Sequence, residues 1–184
     1  MPLGKKFFNR GAAELAKALL GKHLVFGSLQ GKIVETEAYL SHDDPGCHAS
    51  RGLTPRNAPM FGPAGHTYVY FIYGMYHCLN IVSGNTGEGE AVLIRALEPE
   101  RGIKLMQKRR NILKIENLCS GPGKLCQAFG ITKKHNNMNL VNGKIQILDS
   151  REKPDIACSR RIGLSAGQDL ELRFYIKGNK FISK

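Results

Sequence analysis

Lys32-Ile33-Val34-Glu35-Thr36-Glu37-Ala38-Tyr39-Leu40 reads as a β-strand, rich in branched and small apolar residues interrupted at a period of two. Successive side chains of a strand point to opposite faces, so Glu35, Glu37 and Tyr39 share one face and Val34, Thr36 and Ala38 the other. A packed core face rarely holds two acids. The Glu35–Tyr39 face is therefore expected either to meet solvent, the commoner outcome, or to line a site. In a site, a carboxylate beside a tyrosine is equipped to activate water. Paired carboxylates also serve sugar chemistry, but Cα atoms two residues apart on a strand, roughly 7 Å, do not by themselves flank a scissile bond.

Working outward from this strand, residues 23–29 form a second β-like run. The polar break at Gln30-Gly31 makes the two a hairpin. Upstream, the pattern predicts an amphipathic helix over 9–21, with Leu15, Leu19 and Leu20 inward and Gly21 as its stop. Residues 42–63 carry four prolines and read as one long irregular segment; such loops inside a compact domain are usually functional. Strands are expected over 66–76, 78–82 and 90–97. A helix is expected over 99–114, with Ile103, Leu105, Met106 and Leu113 as core contacts, and another over 120–129. Residues 144–181 alternate short β-like pieces with Gly and Pro turns. The expected fold is α+β: a single domain over 1–184 with a central, largely antiparallel β-sheet flanked by helices.

Composition narrows the function classes. In 184 residues, 27 Lys and Arg against 15 Asp and Glu leave 27 − 15 = +12. That balance favours polyanions, nucleic acid first. The hydrophobic fraction of 42% excludes a disordered chain. No apolar run approaches the roughly 18 residues that a membrane span needs, and Met1 to Phe8 lacks the apolar core of an export signal. Five cysteines at scattered spacings fit reduced thiols. The expectation is an intracellular protein, cytoplasmic in a bacterium or nuclear in a eukaryote, not secreted. With no heptads and no evident apolar patch, a monomer is expected.

Further motifs carry chemistry. Five of six tyrosines fall between Tyr39 and Tyr76, most within Tyr68-Val69-Tyr70-Phe71-Ile72-Tyr73-Gly74-Met75-Tyr76. Aromatic stripes are usually core, yet tyrosine also suits a half-open pocket that stacks on flat ligands. A sharp turn at Gly74 would project its bulky neighbour as a wedge between base steps. His42-Asp43-Asp44-Pro45-Gly46-Cys47-His48 superficially resembles a metal cluster, but no second Cys/His pair stands at ligand spacing, and no metal is expected. His48 is either a pocket residue or a loop histidine. Lys104, Lys108, Arg109, Arg110 and Lys114 are either a solvated face or a phosphate-contact surface. Ser120-Gly121-Pro122-Gly123-Lys124 opens a helix with free backbone N–H groups and suits a phosphate, though its spacing is not that of a nucleotide-binding P-loop.

The blocks 31–39, Thr54-Pro55-Arg56-Asn57, Met60-Phe61, 68–76, Val92-Leu93-Ile94-Arg95-Ala96-Leu97-Glu98-Pro99 and 118–125, in this order, resemble the alkyladenine (3-methyladenine) DNA glycosylase family, the mammalian-type enzymes and their bacterial relatives. The resemblance implies a monofunctional glycosylase acting on damaged purines in double-stranded DNA, without metal or organic cofactor. It implies Glu37 as general base for the attacking water, with Arg95 and the backbone at Ile162 helping to hold that water. Tyr39, His48 and Tyr70 would form the base pocket, and Asn80 would sit on its floor and disfavour the exocyclic amine of guanine. Tyr73 would fill the gap left by the flipped nucleotide. Ser120, Gly121, Gly123 and Lys124 would meet the phosphate backbone. Two other readings compete. A single-strand or RNA-binding module explains the charge and the tyrosines but not the pairing of Glu37 with Arg95. A glycan hydrolase built on Glu35 and Glu37 does not explain the charge.

Overall fold

A computed structural model describes residues 1–183; Lys184, the last residue of the expected domain, lies outside the described residues. Among the described residues, eight strands alternate with helical segments. The strands are β1 (His23–Phe26), β2 (Leu29–Tyr39), β3 (Thr67–Ile72), β4 (Tyr76–Ser83), β5 (Glu90–Arg101), β6 (Ile145–Leu148), β7 (Ile156–Ser159) and β8 (Arg173–Ile176). The helices are α1 (Lys5–Phe8), α2 (Ala12–Leu19), α3 (Ile103–Arg110) and α4 (Pro122–Phe129). All strand pairings are antiparallel, in the order β3-β4-β5-β2-β1-β6, with β8 joining β2 and β7 pairing β8. The α+β fold expected from the sequence is the fold observed.

β2 is the centre of the molecule. β5 runs along one edge, while β1 and then β8 fill the other, so its backbone is paired on both sides. Two compensating bulges interrupt the β2–β5 ladder: Val34 has no partner on β5, and Arg95 has none on β2. A bulge inserts one residue and so exchanges the faces of the strand beyond it. Before it, Leu29 and Ile33 enter the main core; after it, Ala38 does, and the Thr36 hydroxyl donates to the Ala16 carbonyl of α2 at 2.9 Å. Glu35, Glu37 and Tyr39 are thereby turned to the sheet face away from α2. Without the extra residue the two acids would point into the packed core.

That core joins Leu15 and Leu19 of α2, Leu79 and Ile81 of β4, Ile94 of β5 and Leu125 and Phe129 of α4, all fully buried. Each such side chain contributes about 1.5–3 kcal/mol of transfer free energy.

Several boundaries differ from the sequence reading. The β1–β2 turn is Gly27-Ser28, with Phe26 pairing Leu29 and Gly27 at φ 59°, because a two-residue turn needs positive φ. Gly31 lies inside β2, where a side chain would press on Leu97 and the Glu98 carbonyl of β5. The helix expected over 9–21 is α2, shortened to Ala12–Leu19, and α1 is a separate helical turn before it. The helix expected from residue 99 begins only at Ile103, because β5 runs on through Pro99 to Arg101 beside a further ladder irregularity. Its inward side is Met106. Leu105 is partly exposed and Leu113, beyond the helix, is 85% exposed, so neither is a core contact. Arg109 and Arg110 bond to Ala128 and Gln127 of α4, which takes two of the five basic side chains away from a free phosphate surface.

Candidate active site

The strand that carries the two acids does not expose them. Glu35 and Glu37 are both fully buried, so the solvated-strand expectation fails. The two are not equivalent. Glu35 is enclosed by Arg95 Nε (3.2 Å), Arg173 Nε (2.6 Å), the Ser183 backbone N–H (2.6 Å) and the Ser183 hydroxyl (2.8 Å). Every one is a donor, and the carboxylate is consumed in holding β2, β5, β8 and the C-terminal segment together. Glu37 accepts the Tyr39 hydroxyl on Oε2 (2.9 Å) and the Ile162 N–H on Oε1 (2.9 Å), with Arg95 Nη1 at 3.1 Å from the same Oε1. One guanidinium thus spans both acids. Arg95 reaches them because it is the bulged residue of β5, released from the regular alternation of that strand.

Tyr39, Arg95 and Ile162, the three residues on Glu37, all line a cavity of about 620 Å³. The same cavity is lined by His48, Tyr70, Tyr73, Asn80, Gly121, Gly123 and Lys124. Sequence reading had named each of them, and the fold brings them together from eight separate elements or loops. Glu37 itself stands behind the wall. Ser120 does not line this cavity; it pairs with Ala96 of β5, which ties the start of α4 to the strand carrying Arg95.

The aromatic wall is built by the β3–β4 hairpin. Tyr68 and Tyr70 alternate on one face of β3, their rings 5.3 Å apart, and the His48 ring meets Tyr70 edge-on at 4.6 Å. The Tyr68 hydroxyl and His48 Nδ1 are 3.0 Å apart, and Asn80 Nδ2 donates to the Tyr68 carbonyl at 3.0 Å. Burial pushes the tyrosine hydroxyls up, Tyr68 to about 12 and Tyr70 and Tyr39 further, so all three remain neutral donors near pH 7. For Tyr39 the Glu37 charge adds to burial. Burial, and then the Arg56 charge, hold the His48 imidazole below its usual range. Burial likewise raises the Cys47 thiol to about 11, which makes it inert at neutral pH.

At the rim, Tyr73 and Gly74 both have positive φ (53° and 66°) in the turn closed by Met75 N–H to Ile72 carbonyl. The turn holds Tyr73 away from the body of the protein, 76% exposed, with Met75 65% exposed beside it. Gly123 is glycine because the Tyr76 ring lies on it: a Cβ there would stand 2.9 Å from that ring.

Sequence reading missed one pair. Arg161 grips Asp44 with two hydrogen bonds, Nη1 to Oδ2 at 2.7 Å and Nη2 to Oδ1 at 2.5 Å, and both side chains are fully enclosed. Asp44 had looked like part of a metal cluster; its carboxylate is spent on the arginine. Among the described residues no three His, Cys, Asp or Glu side chains converge as a metal site would require. Nor is any helix there long and apolar enough to cross a membrane.

The amino-acid sequence matches the family model of methylpurine-DNA glycosylase over residues 6–180. The chain belongs to the methylpurine-DNA glycosylase family. Its relatives include proteins of Carboxydothermus hydrogenoformans (49% identical, all of both chains covered), Methanoculleus marisnigri (47%, all of both chains) and Nitrobacter winogradskyi (45%, all of this chain and 88% of that one). Each of the three bears the name "Putative 3-methyladenine DNA glycosylase". Membership of the methylpurine-DNA glycosylase family makes the protein a DNA glycosylase, a hydrolase of DNA repair that binds DNA. The resemblance read from the sequence is thereby confirmed, and the binding-module and glycan-hydrolase readings fall. The position of Glu35, sealed behind Arg95, Arg173 and Ser183, also removes the carboxylate pair on which the glycan reading rested.

Proposed function

We propose that the protein extrudes alkylated or deaminated purines from double-stranded DNA and hydrolyses their N-glycosidic bond with a water activated by Glu37. The substrates in view are 3-methyladenine, 7-methylguanine, hypoxanthine and ethenoadenine. The observation that carries the reading is the placement of one buried carboxylate, Glu37, against the wall of a tyrosine-lined cavity, fixed by Tyr39, Arg95 and the Ile162 N–H.

A stacked nucleotide hides its C1′, so it must be flipped, at a cost of a few kcal/mol that is least for a damaged or mispaired base. Tyr73, carried on its projecting turn, fills the space the base leaves. The base enters between Tyr39, His48 and Tyr70. A cationic alkylpurine gains cation–π attraction from these rings, whereas neutral hypoxanthine is selected by fit and hydrogen bonding. Asn80, on the cavity wall between β3 and β5, disfavours the exocyclic amine of guanine. Glu37 takes a proton from the water that attacks C1′, and its negative charge offsets the oxocarbenium character of the transition state. Arg95 and the Ile162 N–H flank Glu37 Oε1, where a water bound to that oxygen lies within their reach. Gly121, Gly123 and Lys124, with Ser120, receive the backbone phosphate at the start of α4. The product is an abasic site for base excision repair. A monomer suffices, since one chain supplies every residue named.

The test is a labelled duplex with a single hypoxanthine or ethenoadenine, incubated with the protein, treated with alkali and resolved for cleavage at the lesion, with Glu37→Gln in parallel. Cleavage by the wild type alone supports the reading. Cleavage by both proteins removes Glu37 from the role of base, and cleavage by neither, repeated on methylated DNA, removes the substrate assignment.

A further inference from the structure

A second, smaller cavity of about 260 Å³ adjoins the first and shares Lys124 with it. Its wall is formed by Lys114, Glu116, Ser120, Lys124, Lys180 and Ile182, together with Asn117. The three lysines come from three parts of the chain: the approach to the turn at Ile115–Asn117, the first turn of α4, and the segment that follows β8. Only the tertiary fold brings them together. Three lysines against one glutamate leave 3 − 1 = +2 around a cavity of this size. The single acid, Glu116, is engaged by Lys180 at 3.4 Å, and the Lys180 side chain is 70% exposed. An exposed pair at that distance is weak and exchangeable. Among the described residues, Lys114 and Lys124 have no carboxylate partner.

We propose that this second cavity is a backbone-phosphate site, holding a phosphodiester of the strand that carries the extruded nucleotide. It rests on the glycosylase reading above and extends it from one phosphate to two. Lys124 stands on the ridge between the cavities, so a strand whose flipped nucleotide occupies the first and whose phosphate meets Gly121 to Lys124 passes the second as it leaves. The start of α4 reinforces the field there, since the helix carries no side-chain cap at its N-terminus. Lys180 exchanges Glu116 for the phosphate, and Lys114 closes the other side. Inorganic phosphate offers the same chemistry from another source, and the experiment separates the two.

The measurement is a methylphosphonate scan. Single neutral linkages are placed in turn at each position around a hypoxanthine, and binding is measured for the wild type, for Lys114→Ala/Lys180→Ala and for Lys177→Ala as a control lysine elsewhere on the surface. One position beyond the phosphate nearest the lesion is expected to weaken wild-type and control binding about fivefold. In the double variant that position becomes silent, and the slope of log K against log salt shrinks by about one. The proposal is overturned if no such position exists, or if its effect persists in the double variant. Inhibition by inorganic phosphate at fixed ionic strength, present in the wild type and lost in the double variant without any scan position, overturns DNA as the occupant. Hypoxanthine release by the same wild-type preparation is scored separately; its absence, together with no base release from methylated DNA, removes the substrate assignment and leaves the scan to report on the cavity alone.

Discussion

Arg161 clamps Asp44 with a fully enclosed, two-pronged ion pair, although 117 residues separate them in the chain. The same guanidinium donates to the Ala38 carbonyl at 3.0 Å and the Gly167 carbonyl at 3.3 Å and lies 4.7 Å from the centre of the Tyr39 ring. Ile162, whose N–H holds Glu37, is the next residue. The pair therefore bolts two pocket loops to the end of β2 and aims a hydrogen bond at the proposed base. Removing one partner leaves a buried charge, which costs about 3–5 kcal/mol. Asp44→Ala and Arg161→Ala should each lower Tm steeply, and the double variant should cost much less than their sum. Arg161→Lys keeps the charge but loses the fork. At a temperature where it is folded, its single-turnover excision is expected to fall about a hundredfold from misaligned groups, while lesion-duplex affinity changes little. Equal losses in rate and affinity would show a pair that merely holds the fold.

The two acids of β2 should separate cleanly by readout. Glu37→Gln removes the proposed base, and excision should fall by at least about a thousandfold with binding to lesion DNA retained. Glu35→Gln instead places an amide among donors from Arg95, Arg173 and Ser183. Thermal stability should drop, and at low temperature excision should stay within about tenfold of the wild type. A Glu35 variant that is stable but inactive would transfer the catalytic role to the wrong acid.

Much of this site was legible because its residues sit in short, chemically distinctive runs: the Glu37–Tyr39 spacing, the tyrosine hairpin and the glycine-rich start of α4. What escaped the sequence depends on distant partners. Nothing in the stretch 31–39 announces the bulge at Val34 that turns Glu35 and Glu37 away from α2, so the residues alone leave the acid face open between solvent and a site. The role of Asp44 is hidden because its arginine lies in another loop, 117 residues away. Pro99 read as a helix start, while pairing with β2 carries the strand past it to Arg101. Leu113 was assigned to the core by spacing alone, and the helix stops before it.

Tyr73 is held at φ 53°, a left-handed conformation that costs a β-carbon-bearing residue roughly 1–2 kcal/mol. Exposure of its ring adds no compensating contact. Tyr73→Gly should relieve that strain, offset in part by about 0.5–1 kcal/mol of glycine chain entropy, so stability should hold or rise slightly. Excision from duplex DNA should fall at least about tenfold, because nothing fills the stack, and should fall less on a lesion opposite a gap. If duplex and gapped substrates are affected alike, the ring serves the pocket and not the flip.

His48 supplies the pH dependence. Burial first, and then Arg56, lower its affinity for a proton below the ordinary value of 6.5, so it is neutral when the enzyme works near pH 7. The unfolded chain takes up this proton at about 6.5 while the native protein resists it. The native state therefore loses stability as pH falls below about 6.5, and this group contributes no pH dependence above that point. Once protonated, His48 would also repel a cationic base in the same pocket but not a neutral one. Lowering pH from 7.5 to 5.5 should reduce excision of 7-methylguanine more than excision of hypoxanthine. In His48→Gln the ratio of the two rates should become flat with pH, and the acid side of the Tm profile shallower. A ratio that still falls in this variant would place the titrating group elsewhere in the site and leave His48 as a neutral wall of the pocket.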